Sequence, residues 1–177
     1  KKATYEIWRK NKIIGIHEIL FSEIDGNLIV ETNINIKVKV IFVTAYTFSH
    51  QSKEIWRDGN FIKIDGYSDF EDEREYFIEG EVKDGFLFVN GMDGELKLNK
   101  NLIPSNFWNI DVMYQDEIFD TQKGIVRKLD VKEAGKELIT INNEKISCTK
   151  FILNATRHSK DKDLFPEYML WYSKDKE

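Results

Sequence analysis

Hydrophobic and polar residues alternate with a period of two over several long stretches of this chain. In residues 28–40 the apolar side chains fall mainly on even positions and the polar ones mainly on odd positions. Because successive side chains of a β-strand point to opposite faces, this alternation predicts strands with one buried face. The pairs Asp25-Gly26, Asp58-Gly59 and Asp84-Gly85 separate such stretches and predict tight hairpin turns.

The spacing of the strands indicates a mainly all-β fold. Strand signals recur about every 8 to 14 residues, which is typical of sandwiches and barrels. A strand running from residue 28 to residue 57 would be too long, so we expect a bend or hairpin near residues 43–45. The alternation stops at residues 103–110, where Ser105 is a candidate N-cap for one short helix near 105–119. Thereafter we expect strands at 125–132, 136–141, 144–156 and 166–172. We therefore predict one domain, residues 1–177: a single curved antiparallel sheet rolled into an open or closed β-barrel.

Composition excludes several classes of partner and site. The chain has a net charge of −5, and its lysines are not gathered into one basic stripe, which argues against a nucleic-acid partner. No apolar run approaches the ~20 residues of a membrane-spanning helix, so no membrane span is expected. One cysteine, Cys148, cannot form an internal disulfide or a cysteine-based zinc site, and we expect a packed thiol. The three histidines share no metal-binding spacing and no phosphate loop is present, so we expect neither a metal nor a cofactor.

The segment from Tyr46 to Trp56 carries the candidate chemistry. Aromatic residues mark its even positions as the buried face, yet an imidazole and a carboxylate lie among them. A buried ionisable group is unfavourable unless it is paired or hydrogen-bonded, so we interpret this face as the wall of a cavity with polar spots. The candidate ligand-binding residues on it are Tyr46, Phe48, His50, Ser52, Glu54 and Trp56.

His50 and Glu54 are the candidate catalytic residues, as acid–base groups, or else polar anchors for a ligand. They are four positions apart on one strand, so their Cα atoms lie ~13 Å from each other and the side chains cannot bond directly. The alternative is that cross-strand partners satisfy each group and that both only fix the strand register. Trp108 and Trp171 are added to the ligand-binding set because aromatic walls are typical of small-molecule sites, with core packing as the alternative. Trp8 is expected in the core.

Six sets of residues are informative together: Tyr5 with Ile14-Gly15, His50 to Glu54 with Trp56 and Gly59, Ser68-Asp69, Pro104-Ser105 with Trp108, Asp120 with Gly124, and Leu170-Trp171-Tyr172. Together these fragments resemble an uncharacterised bacterial family, the domain-of-unknown-function family six-one-three-four. The resemblance implies an exported, β-rich protein without an assigned activity, distantly like the rolled sheets of lipoprotein carriers. It implies a periplasmic location, with a removed signal peptide or an edited sequence explaining the start at Lys1.

Three functions are compatible with these patterns. The first is a binding protein that holds a small apolar or amphipathic ligand in an aromatic-lined barrel cavity. Its partner would be a small lipophilic molecule. The second is a cofactor-independent isomerase, cyclase or hydrolase acting on a lipophilic substrate, with His50 or Glu54 moving a proton in a water-poor site. The third is a structural envelope protein with a filled core. The sequence leaves open whether the protein is an enzyme and what its oligomeric state is.

Overall fold

The structure is a computed structural model that describes residues 1–40, 43–71, 74–141 and 143–173. Within these ranges nearly all regular structure is antiparallel β-strand, and the predicted all-β class is confirmed. The chain divides into two compact units: unit 1 consists of residues 1–102 and 120–125, and unit 2 of residues 103–119 and 126–177. The prediction of a single domain stays a prediction. None of the helical segments in the described ranges is long and apolar enough to cross a membrane.

Unit 1 contains an eight-stranded sheet in which every strand pairs with its neighbours along the chain. In the described residues β1 and β8 form the two edges, so this sheet is open. The strands are β1 (Lys2–Arg9), β2 (Lys12–Ile24), β3 (Asn27–Val40), β4 (Val43–Arg57), β5 (Asn60–Phe70), β6 (Arg74–Lys83), β7 (Phe86–Gly91) and β8 (Gly94–Asn99).

The hairpin turns have the backbone conformation that their residues favour. Asp25, Asp58 and Asp84 each have φ of 50°, and the glycine after each also has positive φ. Two successive positive φ values define the two-residue turn that matches the twist of paired strands, so the three predicted hairpins are confirmed. The break expected near residues 43–45 falls between Val40 and Val43, and Phe42, like residue 41, lies outside the described residues.

One face of the eight-stranded sheet forms the core of unit 1. Val30, Glu54, Ile64 and Gly80 are register partners in one row across β3 to β6, and all four are buried. A side chain at Gly80 would meet Ile64 at 2.9 Å, so glycine here allows the two strands to pack closely. Trp8 is the exception to the expected core, since it lies on edge strand β1 and is 57% exposed. The prediction of a core position for Trp8 is therefore wrong.

The remaining strands form a second sheet of four, so the strands occupy two sheets rather than the single sheet expected. Its order is β12 (Tyr168–Ser173), β11 (Glu144–Ala155), β10 (Ile125–Ile141) and β9 (Glu117–Asp120), and all its residues except Asp120 and Ile125 belong to unit 2. Strands predicted separately at 125–132 and 136–141 are the single strand β10. Its register shifts between Glu133 and Lys136, where Gly135 has a φ of 96°.

The predicted helix is a single 3-10 turn at Ile110–Tyr114, shorter than the range 105–119 allowed. Asn109, not Ser105, caps it, with a side-chain oxygen that accepts a hydrogen bond from the Asp111 backbone N–H. The backbone N–H of Ser105 instead donates to the carbonyl of Phe119 at 2.7 Å. Residues 117–119, which the sequence analysis included in the helical range, belong instead to strand β9.

Unit 2 has a core of its own. Val112 and Met113 from the 3-10 turn pack with Ile118, Phe151 and Leu153. Cys148 is buried on β11, as expected for a packed thiol. The buried Arg127 guanidinium forms an ion pair with buried Asp161, and its carbon lies 5.0 Å from the centre of the Phe165 ring.

Candidate functional site

His50 lies at the centre of the buried face of the eight-stranded sheet. Its side chain is 2% exposed, and its Nδ1 atom is 2.8 Å from Oγ of Ser68. The two residues are register partners on β4 and β5, so the hydrogen bond runs directly across the strand pair. His50 therefore has the cross-strand partner that a buried imidazole requires.

Burial keeps the His50 imidazole uncharged. The pKa of His50 is lowered to about 4, first by loss of solvation and then by the charge interaction with His17, while a hydrogen bond with the Tyr67 backbone acts in the opposite direction. His17 and His50 both register with Ile34 of β3, so two strand spacings of 4.7–4.9 Å put their Cα atoms about 10 Å apart. Burial also lowers the pKa of His17. Near neutral pH both rings can accept and donate hydrogen bonds without carrying charge.

Glu54 occupies the same face and is 1% exposed. Its Oε2 atom accepts a hydrogen bond from the indole Nε1–H of Trp56 at 2.9 Å. The Trp56 ring in turn meets Phe61 edge-on, with 5.4 Å between centroids. The carboxylate is thus held by a residue two positions further along its own strand, not by His50.

The other residues predicted on this strand differ in exposure. Phe48 is buried and packs against Phe70 at 4.8 Å between ring centroids, and Phe70 meets Tyr76 edge-on. Ser52 is buried between His50 and Glu54, whereas Tyr46 is 38% exposed. The aromatic and polar face predicted from alternation therefore exists from Phe48 to Trp56, and its side chains are packed.

Trp108 and Trp171 belong to unit 2, whereas the residues of β4 belong to unit 1. Trp171 is 38% exposed, and its indole N–H donates to Oε2 of Glu137 at 2.8 Å. The Lys150 ammonium lies 5.2 Å from the centre of the Trp171 ring. Trp108 is half-buried in the segment before the 3-10 turn. A cavity shared by these tryptophans with Phe48 and Trp56 stays a prediction.

A groove of about 360 Å³ lies beside Phe48, and the sequence patterns did not single it out. We call it the Phe48 groove. Its polar lining comes from odd positions of β3, β4 and β5, which the alternation assigns to an ordinary solvent-facing surface. Ile14 and Ile16 supply its apolar side chains, and Asn35, Lys37, Thr47, Ser49 and Asp69 supply polar groups. Ile36 and Phe48, which are register partners with side chains on the other face of the sheet, border it.

The register separates the apolar and polar parts of the Phe48 groove. Ile16, Asn35, Ser49 and Asp69 are partners in one row across β2, β3, β4 and β5. Directly paired residues of neighbouring strands point to the same face, so the row is apolar at β2 and polar from β3 to β5. Such a groove can hold a molecule with an apolar end and a hydrogen-bonding end.

In the described ranges no three histidine, cysteine, aspartate or glutamate side chains come together in a group that could hold a metal ion. The Phe48 groove offers hydroxyl, amide, ammonium and carboxylate groups beside an apolar surface.

Comparisons with known proteins agree with the fold. A family model described as a domain of unknown function, DUF6134, matches residues 5–177. No curated protein matches. The fold is similar to the crystal structure of a beta-barrel-like protein of domain of unknown function DUF1849 from Brucella abortus. The two are 13% identical with a TM-score of 0.57, over 96% of this chain and 85% of that one, and this likeness concerns the fold alone.

Proposed function

The chain belongs to the family described as a domain of unknown function, DUF6134, and from its own geometry we propose that it is a binding protein for a small amphipathic ligand. The observation that carries this proposal is the Phe48 groove, in which an isoleucine surface meets hydrogen-bonding side chains. Its volume of about 360 Å³ falls within the range of small-molecule sites.

The ligand would lie across the strands rather than along one of them. Its apolar end would cover Ile14 and Ile16 of β2, removing their exposed surface from water at roughly 25 cal/mol per Å². Its polar end would meet Ser49 and Asp69, which follow one another on β4 and β5 in the same row. This orientation satisfies both ends of an amphipathic molecule without burying an unpaired polar group.

The burial of the two candidate acid–base groups favours binding without turnover. His50 and Glu54, the candidate acid–base groups, are buried, and each has a hydrogen-bond partner. Neither of them lines the Phe48 groove. A proton-transfer group must reach the reacting atom of its substrate, so neither His50 nor Glu54 could act on a ligand in this groove.

Native mass spectrometry of protein purified without detergent tests this proposal. We expect an adduct of small mass, or saturable binding of lauric acid or lysophosphatidylcholine as probes. Ile16→Asp places a charge against the apolar end and should abolish either signal, while Leu138→Asp, at an exposed leucine of unit 2, should not. Absence of an adduct together with no saturable binding of either probe would overturn the proposal.

Trp8 offers a second measurement of the same event. Glu6 registers with Ile16, and Trp8 lies two positions further on β1 with its indole N–H donating to Glu6 at 3.1 Å, so Trp8 shares the face of Ile16. A ligand over Ile14 and Ile16 should change the emission of Trp8. The difference between the parent chain and Trp8→Phe isolates this emission from that of the other three tryptophans.

The packing around His50 favours a second candidate, a structural envelope protein with a filled core. His50, Ser52 and Glu54 are all buried, and packing in the core accounts for their positions without a ligand cavity on this face. This candidate predicts that neither adduct nor probe binding will be found. It also predicts that substitutions at His50 change stability alone.

An exported, periplasmic location is proposed with either role. Its support is the resemblance of the sequence fragments to exported β-rich proteins. Expression of the full-length gene product in a bacterial host, followed by osmotic-shock fractionation, should recover the protein in the periplasmic fraction. Recovery in the cytoplasmic fraction would contradict this location.

A further inference from the structure

A second groove, of about 630 Å³, lies on the eight-stranded sheet and is distinct from the Phe48 groove. The two grooves have no lining residue in common. We call it the polar groove, and its lining includes Glu18, Asn33, Gln51, Lys53, Asp65 and Tyr67. All of these lie on strands of unit 1.

The floor of the polar groove is a row of planar hydrogen-bonding groups. Glu18 pairs with Asn33, Asn33 with Gln51, and Gln51 with Tyr67, so the row crosses four adjacent strands. Successive members are separated by one strand spacing of about 4.8 Å. Carboxylates accept hydrogen bonds and carboxamides both donate and accept them, so the row suits a ligand rich in hydroxyl groups.

An aromatic surface closes one end of this row. Tyr67 is the register partner of Phe77, and the two ring centroids are 4.9 Å apart. Phe77 is a large apolar side chain, and it is 68% exposed on this face. Aromatic rings beside hydrogen-bonding groups can pack against the C–H face of a sugar while its hydroxyls are bound alongside.

The charges around the polar groove favour a neutral ligand. Lys2 pairs with Glu18, and Lys63, just outside the lining, pairs with Asp65 at 3.1 Å. The lining carries three acids and two lysines, so it lacks the excess of positive charge that a phosphate site has. The five charged lining residues are Glu18, Glu31 and Asp65 with Lys2 and Lys53.

We propose that the polar groove binds a neutral oligosaccharide that runs across β2 to β5, with one sugar ring against Tyr67 and Phe77. The spacing of the row is close to the length of one pyranose ring, so successive sugars meet successive polar side chains. This inference does not depend on the amphipathic ligand proposed for the Phe48 groove, because it rests on other residues.

Titration of the ¹⁵N-labelled chain with cello-, chito- and malto-oligosaccharides tests the inference. We expect saturable shifts of the backbone amides of Asn33, Gln51 and Tyr67 with at least one of these neutral glycans. Gln51→Ala and Phe77→Ala should each weaken binding by about tenfold or more. The first variant lacks the carboxamide that bonds the sugar hydroxyls, and the second lacks the aromatic ring that packs against the sugar. Phe88→Ala is the matched control, since Phe88 is an exposed phenylalanine on β7 of the same sheet, whereas the Phe77 ring lies beside the lining residue Tyr67.

The outcomes separate the two grooves. Unchanged glycan binding in Ile16→Asp, together with its loss in Phe77→Ala, supports the inference whatever the result for the amphipathic probes. No saturable shift with any of the three glycans overturns it. Shifts at other residues, or equal weakening by Phe77→Ala and Phe88→Ala, also overturn it. Circular dichroism of each variant shows whether the fold is retained.

Discussion

His50 and Ser68 face each other across β4 and β5, with the imidazole Nδ1 atom 2.8 Å from the serine hydroxyl oxygen. Both side chains are buried among apolar residues, so this hydrogen bond is what makes an imidazole compatible with the core of unit 1. The partner of His50 is thus a hydroxyl on the next strand and not Glu54 on its own strand.

Stability should fall as the pH is lowered from 6.5 to 4. Burial lowers the pKa of His50 to about 4 in the folded chain, while the unfolded chain keeps the ordinary value of 6.5. Between these pH values the unfolded state binds more protons than the folded state. The free energy of unfolding therefore rises with pH across this window and decreases as the pH falls. At 1.36 kcal/mol per pH unit the loss is at most about 3 kcal/mol. Urea denaturation at a series of pH values measures it, and His50→Gln should reduce the slope; equal slopes in both chains would contradict the prediction.

Ser68→Ala should lower the free energy of unfolding by about 1–3 kcal/mol, because it removes the hydroxyl that bonds His50 inside the core. Ser49→Ala is the matched control, since Ser49 lies on the opposite face of β4 and is half-exposed. Its effect should stay within about 0.5 kcal/mol. Chemical denaturation of the two variants under the same conditions compares them. Equal losses would show that the His50 bond contributes little.

Glu54→Leu should destabilise the chain more than Glu54→Gln. Leucine removes the acceptor of the Trp56 indole N–H, which costs about 1–3 kcal/mol, whereas the glutamine carbonyl can still accept this bond. Near-ultraviolet circular dichroism reports the Trp56 environment and denaturation reports the free energy. A leucine variant as stable as the glutamine variant would show that the bond is dispensable.

Gly91→Ala should destabilise unit 1 by about 1–3 kcal/mol through overpacking. A Cβ atom at residue 91 would lie 2.6 Å from the Cα of Gly124 and 2.8 Å from its carbonyl oxygen, which are backbone atoms that cannot rotate away. Gly66→Ala is the control, because its added Cβ would meet its neighbours at ordinary distances of 3.5 Å and more. Thermal denaturation should separate the two variants. Equal melting temperatures would mean that the backbone at Gly124 adjusts.

Much of the fold could be predicted from local patterns. The Asp-Gly pairs fixed three hairpins because their turn conformation needs residues that tolerate positive φ. The alternation over residues 28–40 and 46–56 identified the buried face because a strand has a period of two. The bounds of β9 and the length of the 3-10 turn could not be predicted, because they depend on the pairing of Phe119 with residues 103–105.

The candidate site was predicted less completely. Alternation identified His50 and Glu54 as buried polar groups, but their partners Ser68 and Trp56 could not be assigned without register and rotamer. Trp8 was assigned to the core from its residue type, and only its place on an edge strand explains its exposure. The two grooves were missed because each combines residues from several strands, and no single strand shows them.

The sequence by itself determined the all-β class, the hairpin turns and the polar residues of the buried face, because each depends on neighbours within a few positions along the chain. Tertiary structure alone decided the division into two sheets, the His50–Ser68 bond and the rows that line the grooves. These features depend on which residue of one strand lies opposite which residue of the next. That register is set by the packing of whole strands, and a change of one residue would move every side chain of a strand to the other face.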